Sequence, residues 1–279
     1  MKYSEKKVNY DLNSFPFSVE AKRISKTLKL NNEFSKVISA GRARILFNSS
    51  RLLAKFNREL SFFNSKDSLK PFKVSLKEAE EAYQSATYLA GWADKLNFVI
   101  NFRGGNELRQ YLNEDGKPLG IVAVEIKNKF PLLSFVKNVF PALACGNSVA
   151  ITENGNNSAT LILKKFLEES GLPINTILFA EEKNLTEKIK YFKNPLLINQ
   201  LSFLDDYPLN DAVFQCVKKI IYPEYNTYQS INVFIQEGQK KQFIKKLEIS
   251  LSKLIYGNPF SENTDIGDLL FRKEKEDFL

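Results

Sequence analysis

No histidine occurs anywhere in this 279-residue sequence, which also holds only two cysteines, one methionine and one tryptophan. Lacking imidazole, the chain has no histidine general base, and with two cysteines it cannot assemble the usual nitrogen and sulfur ligand sets of zinc, so no metal site is expected. Cys145 and Cys216 both stand among apolar neighbours and read as small core residues rather than as a disulfide. Long hydrophobic runs are missing too. The apolar stretches 118–124 and 131–136 end at Glu125 and Lys137, far short of the ~20 residues that cross a bilayer. The opening Met1-Lys2-Tyr3-Ser4-Glu5-Lys6-Lys7 leads into polar residues, Asn9 and Asp11 among them, instead of an apolar stretch. No secretory signal is visible, and the expectation is a soluble, cytoplasmic chain without membrane contact.

Charge of one sign is in excess, but it is not clustered. The formal net charge of +8 invites a nucleic-acid reading, because grouped Lys and Arg gain affinity by neutralising phosphates. Here the basic residues are mixed with acids, as in Lys77-Glu78-Ala79-Glu80-Glu81 and Glu181-Glu182-Lys183, and no Arg-rich or aromatic-interleaved motif occurs. Lysine on solvated faces accounts for the excess, and no nucleic-acid partner is expected. The 43% of hydrophobic residues can fill one large core or two modest ones.

Residues 1–35 are polar and irregular, with Pro16 interrupting a short aromatic stretch, and read as an N-terminal arm. From Ile38 onward Ala43, Leu46, Phe47, Ser50, Leu53, Ala54, Leu60 and Phe63 recur at steps of three and four, which predicts an amphipathic helix. A second helix is predicted over 75–95, with Ser75 as its cap and Glu78 three residues on, and Pro71 separates the two. The period then shortens. Phe98, Ile100 and Phe102 alternate before Arg103-Gly104-Gly105-Asn106, and Leu108, Gln110 and Leu112 alternate after it. This predicts a β-hairpin whose edges could pair with another subunit, and a Gly104-Gly105 turn followed by a strand rather than a helix.

Strand 119–126, helix 132–144, strand 148–152, helix 158–170 and strand 174–179 follow in short succession. Such alternation predicts the α/β class with a parallel, doubly wound, Rossmann-like sheet of the kind that binds nucleotides. After Ala180 a charged stretch leads to apolar 195–204, an acidic turn at Asp205-Asp206, a helix over 209–221, a strand over 233–236, a helix over 240–254 and a turn at Gly257-Asn258-Pro259.

Several stretches occur together in one order. They are Arg42-Ala43-Arg44-Ile45-Leu46-Phe47, Tyr88-Leu89-Ala90-Gly91-Trp92-Ala93-Asp94-Lys95, Pro118-Leu119-Gly120-Ile121-Val122, Phe130-Pro131-Leu132-Leu133, Pro141-Ala142-Leu143-Ala144-Cys145-Gly146-Asn147-Ser148-Val149 and Glu168-Glu169-Ser170-Gly171-Leu172-Pro173. Asn194-Pro195-Leu196, Val233-Phe234-Ile235-Gln236-Glu237 and Gly257-Asn258-Pro259 with Thr264-Asp265-Ile266-Gly267 come after them. From Gly41 to Asp268 the chain resembles the aldehyde dehydrogenase superfamily. The resemblance implies an incomplete form of that fold with a protruding β-hairpin. Residues 36–200 would be a degenerate NAD(P)-binding-type domain with an oligomerisation hairpin at 97–117. Residues 201–279 would be the truncated start of a catalytic-type domain.

The same resemblance exposes what is missing. In the family a thiolate attacks the aldehyde, an asparagine amide and a backbone N–H stabilise the oxyanion, hydride passes to NAD(P), and a glutamate activates water. Counting along the matched stretches puts Thr227 at the nucleophile position, Lys129 at the oxyanion asparagine with Asn128 one residue earlier, and Ile189 near the general base. A threonine without a neighbouring base is a weak nucleophile, and isoleucine moves no proton. The positions equivalent to cofactor contacts are Ile126, Lys127, Thr152 and Gly155. Thr152 stands where the family has the lysine that meets the adenine ribose, and Glu153 follows it. The interval 180–194 should hold the glycine turn that approaches the pyrophosphate, yet it contains no glycine and implies the loss of several tens of residues. Cys145 and Cys216 read as packing residues, not as relocated nucleophiles.

The expected function is therefore that of a catalytically inactive aldehyde dehydrogenase-like protein, similar to the duplicated animal branch that lacks the catalytic cysteine. It would bind no cofactor and act by interaction or scaffolding, as a homo- or hetero-oligomer through 97–117. The alternative is an NAD(P)-dependent oxidoreductase that turns aldehydes into carboxylic acids, with residual activity or with help from a further C-terminal region.

Overall fold

Three helices open the fold and lie behind its main sheet. They are α1 (Ser39–Lys55), α2 (Asn57–Ser68) and α3 (Phe72–Asp94). The structure is a computed structural model that describes residues 34–96, 106–126, 130–153, 158–180, 189–192, 199–204, 206–221 and 231–267. The single helix expected from Ile38 to Phe63 is divided at Phe56, whose φ of −106° and ψ of 25° leave helical geometry. The Phe56 ring meets Phe166, with centroids 5.5 Å apart, so the break serves packing that the local pattern could not report. The cap expected at Ser75 lies elsewhere. Helix α3 starts at Phe72 with Pro71 in the cap position, where the fixed proline φ suits a helix entry. Ser75 is buried inside the helix and bonds Ser65 Oγ at 2.9 Å.

A four-stranded parallel sheet follows, built from β1 (Ile121–Ile126), β2 (Ser148–Glu153), β3 (Ile177–Phe179) and β4 (Lys190–Phe192) in the spatial order β3-β2-β1-β4. Helices α5 (Pro131–Ala144) and α6 (Ser158–Glu169) make the β1–β2 and β2–β3 crossovers. A one-turn helix, α4 (Asn106–Arg109), precedes β1. Strand alternation divides the sheet into two unlike faces. Val122, Val124, Ile126, Val149, Ile151 and Ile177 join the large core shared with α1, α2, α3, α5 and α6. The other face carries a small cluster of Ile121, Ala123, Ala150, Ala180 and Ile189, flanked by Leu178 and Tyr191. Among the described residues no helix packs on that second face.

The expected hairpin is corrected in its second arm. Residues 106–109 form α4 rather than a strand, because Leu108 and Tyr111, three residues apart, share an inward side and are 3% and 2% exposed. The Tyr111 and Phe192 rings meet at a tilt of 42°, with centroids 4.7 Å apart. The remaining pairing is a single antiparallel bridge, Leu112 to Pro118, around a turn in which Asn113 N–H donates to Lys117 O at 2.8 Å. The first arm and Gly104-Gly105 lie outside the described residues. The expectation that a strand follows the glycine pair is overturned by α4.

The chain continues through β5 (Asn199–Phe203), α7 (Leu209–Ile221), β6 (Ile231–Ile235) and α8 (Glu237–Leu251), with β5 and β6 paired in parallel. Two short strands, β7 (Tyr256–Gly257) and β8 (Ile266–Gly267), then pair near the α2–α3 junction. Phe72 N–H donates to Pro259 O at 2.8 Å. Gly267 approaches Leu69 O so closely that a Cβ there would lie 1.7 Å from it, which only glycine allows. Among the described residues no helix is long and apolar enough to cross a membrane.

Candidate functional site

In an open parallel sheet the ligand crevice lies beyond the carboxyl ends of the strands, where the strand order reverses. Here the reversal falls between β1, which is followed by β2, and β4 on its other side. Thr152, near the end of β2, lies on the face of the small Ile121, Ala123 and Ala150 cluster, and its Oγ1 donates to Val124 O at 3.3 Å. The same oxygen shares a 2.9 Å hydrogen bond with the Tyr191 hydroxyl. Tyr191 is on β4, in register with Ala123, which is in turn in register with Ala150. The tyrosine therefore reaches over β1 to β2, and Ala123 is small enough to let it pass. Thr152 is 6% exposed, so the side chain that was expected at a ribose contact is engaged within the protein.

The helix that follows β1 is likewise occupied at its N-terminus. A helix start presents unpaired N–H groups that favour an anion. In α5 those of Leu132 and Leu133 donate to Glu78 Oε1 at 2.8 and 3.1 Å. The other oxygen of Glu78 accepts from Asn64 Nδ2 at 2.8 Å and pairs with Lys70. Lys70 and Glu78 are 3% and 2% exposed. Burial pushes the Lys70 ammonium below its ordinary range, and the Glu78 carboxylate opposes that shift. Lys70 Nζ also lies 4.7 Å from the Phe130 ring centroid, which fixes the residue just before α5. Sequence reading took Glu78 for a cap of its own helix. It caps a helix 54 residues away in the chain, a pairing that no local motif can announce.

The expected site residues fall into two groups. Lys129, Asn128, Lys127, Gly155 and Thr227 lie outside the described residues. Ile189, Ile126 and Thr152 are described, and Ile126 lies on the face of the sheet opposite the other two. Ile189 is 7% exposed in the small apolar cluster. Ile126 ends β1 with its side chain in the core on the opposite face. Tyr191 was missed because the charged stretch after Ala180 hides a strand of three residues, for which the alternation of Ile189 and Tyr191 was the available signal.

Neither cysteine is a nucleophile in this setting. Cys145 is 1% exposed, lies 3.4 Å from Leu108 O and has its thiol pushed up to about 12 by burial, with the Arg42 guanidinium offsetting part of the rise. Arg42 holds the end of α5 through its Nε, which donates to Ala144 O at 2.8 Å. Burial also raises the Cys216 thiol, which packs with Phe203, Ala212, Val213 and Phe243. Thiolate chemistry requires a lowered pKa and access, and these two thiols have neither. Among the described residues no three His, Cys, Asp or Glu gather as metal ligands.

The sequence pattern of the aldehyde dehydrogenase family matches residues 20–189, more than half of the chain. The mitochondrial benzaldehyde dehydrogenase of Antirrhinum majus is 34% identical over 134 residues, covering 47% of this chain and 24% of that protein. The lactaldehyde dehydrogenase of Methanococcus aeolicus is 25% identical over 266 residues, covering 82% of this chain and 56% of that one. The chain thus spans between about a quarter and just over half of the length of these curated relatives. Among solved structures, the glyceraldehyde-3-phosphate dehydrogenase GapN of Methanocaldococcus jannaschii, complexed with NADP, superposes with a TM-score of 0.77 at 19% identity. That match covers 95% of this chain and 66% of that one.

Proposed function

The chain belongs to the aldehyde dehydrogenase family, and from that premise we propose that it is a non-catalytic member, degenerate at both the chemical and the cofactor positions, that works by interaction. The observation that carries this reading is the Tyr191 to Thr152 hydrogen bond across the crevice face of the sheet. A dinucleotide held in the family's manner would need a donor at position 152. Instead it meets a short side chain already paired with a residue of the protein. The occupied N-terminus of α5 and the apolar, buried Ile189 support the same conclusion, as do Thr227 and Lys129 in place of nucleophile and oxyanion amide. On this reading the residues present do not fit NAD(P).

Partners would be further copies or other proteins, with 97–117 as one candidate surface, and neither nucleic acid nor membrane is proposed. The working place is the cytosol, a reading supported by two buried thiols that stay unpaired.

A second reading, an NAD(P)-dependent oxidoreductase acting on aldehydes, is favoured by one observation. The likeness in fold extends to an NADP complex of a dehydrogenase. The two readings part on a titration of the purified chain with NAD and NADP, followed by a coupled assay over a panel of aldehydes. The non-catalytic reading expects no saturable binding and no turnover. Turnover that Thr227→Ala abolishes would overturn it.

A further inference from the structure

Helix α3 buries one side against α1, α2 and α5 and turns another outward. On the outward side Glu81, Gln84, Tyr88, Trp92 and the C-cap Lys95 recur at steps of three and four, so they form one stripe along the helix. Tyr88 is 58% exposed at its middle and Phe47 of α1, 37% exposed, lies alongside. Tyr88 and Trp92 meet edge to face at 5.9 Å. Phe47, Tyr83, Tyr88, Gly91 and Trp92 line an open groove of about 630 Å³. Aromatic side chains presented in this way, rimmed by charge, mark association surfaces.

We propose that this stripe is a two-fold interface between copies of the chain, with the two α3 helices crossing antiparallel at Tyr88. The charges decide both occupant and direction. Glu81 and Lys95 stand seven residues before and after Tyr88, each about 10 Å along the axis. In an antiparallel pair centred on Tyr88, Glu81 faces the partner subunit's Lys95, and the contact occurs twice. Gln84 likewise faces the partner subunit's Trp92. A parallel pair would set Glu81 against Glu81 and Lys95 against Lys95. An isologous surface must complement itself in this way, and a partner of one charge sign would find only half of the stripe matched. The competing intrahelical pair of Lys77 and Glu81 is long at 3.9 Å and exposed on both sides, so it offers little resistance. The stripe shares no residue with 97–117, and the proposal stands whether or not the family's chemistry is retained.

The test is sedimentation of the full chain over a wide concentration range, read together with the emission of Trp92, the one tryptophan in the sequence. A reversible dimer whose formation shifts Trp92 emission to the blue is expected. Tyr88→Asp, and separately Glu81→Lys or Lys95→Glu, should weaken it at least about tenfold. Mixing the two single charge variants should restore association as a heterodimer, and the double variant E81K/K95E should pair with itself again. All of these residues face outward, so the variants keep the fold. A monomer at every concentration overturns the proposal. So does a dimer indifferent to Tyr88→Asp and to the charge exchange, which would place the contact elsewhere. Trp92 shielded in the monomer beyond its partial burial against the core overturns it too, because the chain would then cover this face itself.

Discussion

Residues 34–192 and 199–267 follow the same plan of parallel strands joined by helices, yet they bury their apolar side chains very differently. The first region encloses Phe135, Phe140, Phe166, Leu46, Leu53 and Leu60 almost completely, within one continuous core. Among the described residues the second has five buried hydrophobic residues at its centre, Phe203, Ala212, Val213, Cys216 and Phe243. It leaves Phe214 63% and Phe234 55% exposed. Its helix α8 buries Phe243 alone. The family match ends at residue 189, close to the point where dense packing ends. Since local stability follows buried apolar contact, the first region should set the global stability and the second should open beneath it.

The strongest test of that contrast removes the electrostatic joint of the first region. Glu78→Ala removes the acceptor of two buried α5 N–H groups and of Asn64 Nδ2 together with the carboxylate beside Lys70, and breaking a buried ionic contact of this kind costs about 3–5 kcal/mol. In a denaturant titration the main transition should move down by that amount. Glu78→Gln, which retains one acceptor, should recover part of it. A shift below about 1 kcal/mol would show that the joint is hydrated, because exposed ion pairs contribute no more than that.

Where sequence sufficed, the signal was local. Helix α7 was expected over 209–221 and is found as Leu209–Ile221; α5 and α6 differ from expectation by one residue at one end each. Their apolar residues recur with the helical period, those of α5 and α6 against the large core and those of α7 against the smaller one, and proline or glycine marks their ends. Four other features depend on contacts distant in the chain. They are the break at Phe56 made for Phe166, the capping of α5 by Glu78, the inward turn of Leu108 and Tyr111, and Tyr191 reaching Thr152. At the candidate site the pairing that engages Thr152 was not legible. A three-residue strand carries too little alternation to be told from a loop.

The second test concerns how the two regions are joined. Gly267→Ala puts a Cβ into the space of Leu69 O, a backbone atom that cannot rotate away. The expected result is release of 255–267 from the α2–α3 junction at a cost of about 1–3 kcal/mol. Amide exchange should then accelerate at Phe72, whose N–H is held by Pro259 O, and remain slow in β1 and β2. Equal acceleration in β1 would mean that the two regions unfold as one unit, contrary to the contrast drawn from their cores.

A smaller effect is expected at the crevice. Tyr191→Phe removes one hydrogen bond to Thr152 and should cost about 1 kcal/mol. NAD titration should stay flat, since the ring still crosses β1. Saturable NAD binding by Tyr191→Phe, absent from the parent chain, would show that the hydroxyl alone had kept the cofactor out.

The smallest effect lies in the ion pair that ties the second region to the first. Asp265 Oδ1 accepts from Lys73 Nζ at 2.6 Å, and its Oδ2 accepts from Ile255 N–H at 3.1 Å. Partial desolvation pushes its carboxyl up, but the bonds from Lys73 and Ile255 and the lysine charge outweigh that and hold its pKa below the ordinary aspartate value. A carboxyl depressed in the folded state binds protons more readily when unfolded, so stability rises with pH across that interval. The contribution is therefore fully present above an unfolded pKa of about 3.9 and is lost as pH falls through the lower folded value. Because the two side chains are 37% and 25% exposed, screening limits the pair to less than about 1 kcal/mol. Asp265→Asn should accordingly lower the melting temperature slightly at neutral pH and make no difference in strong acid. Added salt should narrow the gap at neutral pH. A difference between parent and variant that persists unchanged into strong acid would assign the effect to the Ile255 hydrogen bond and leave the charge without a part in joining the two regions.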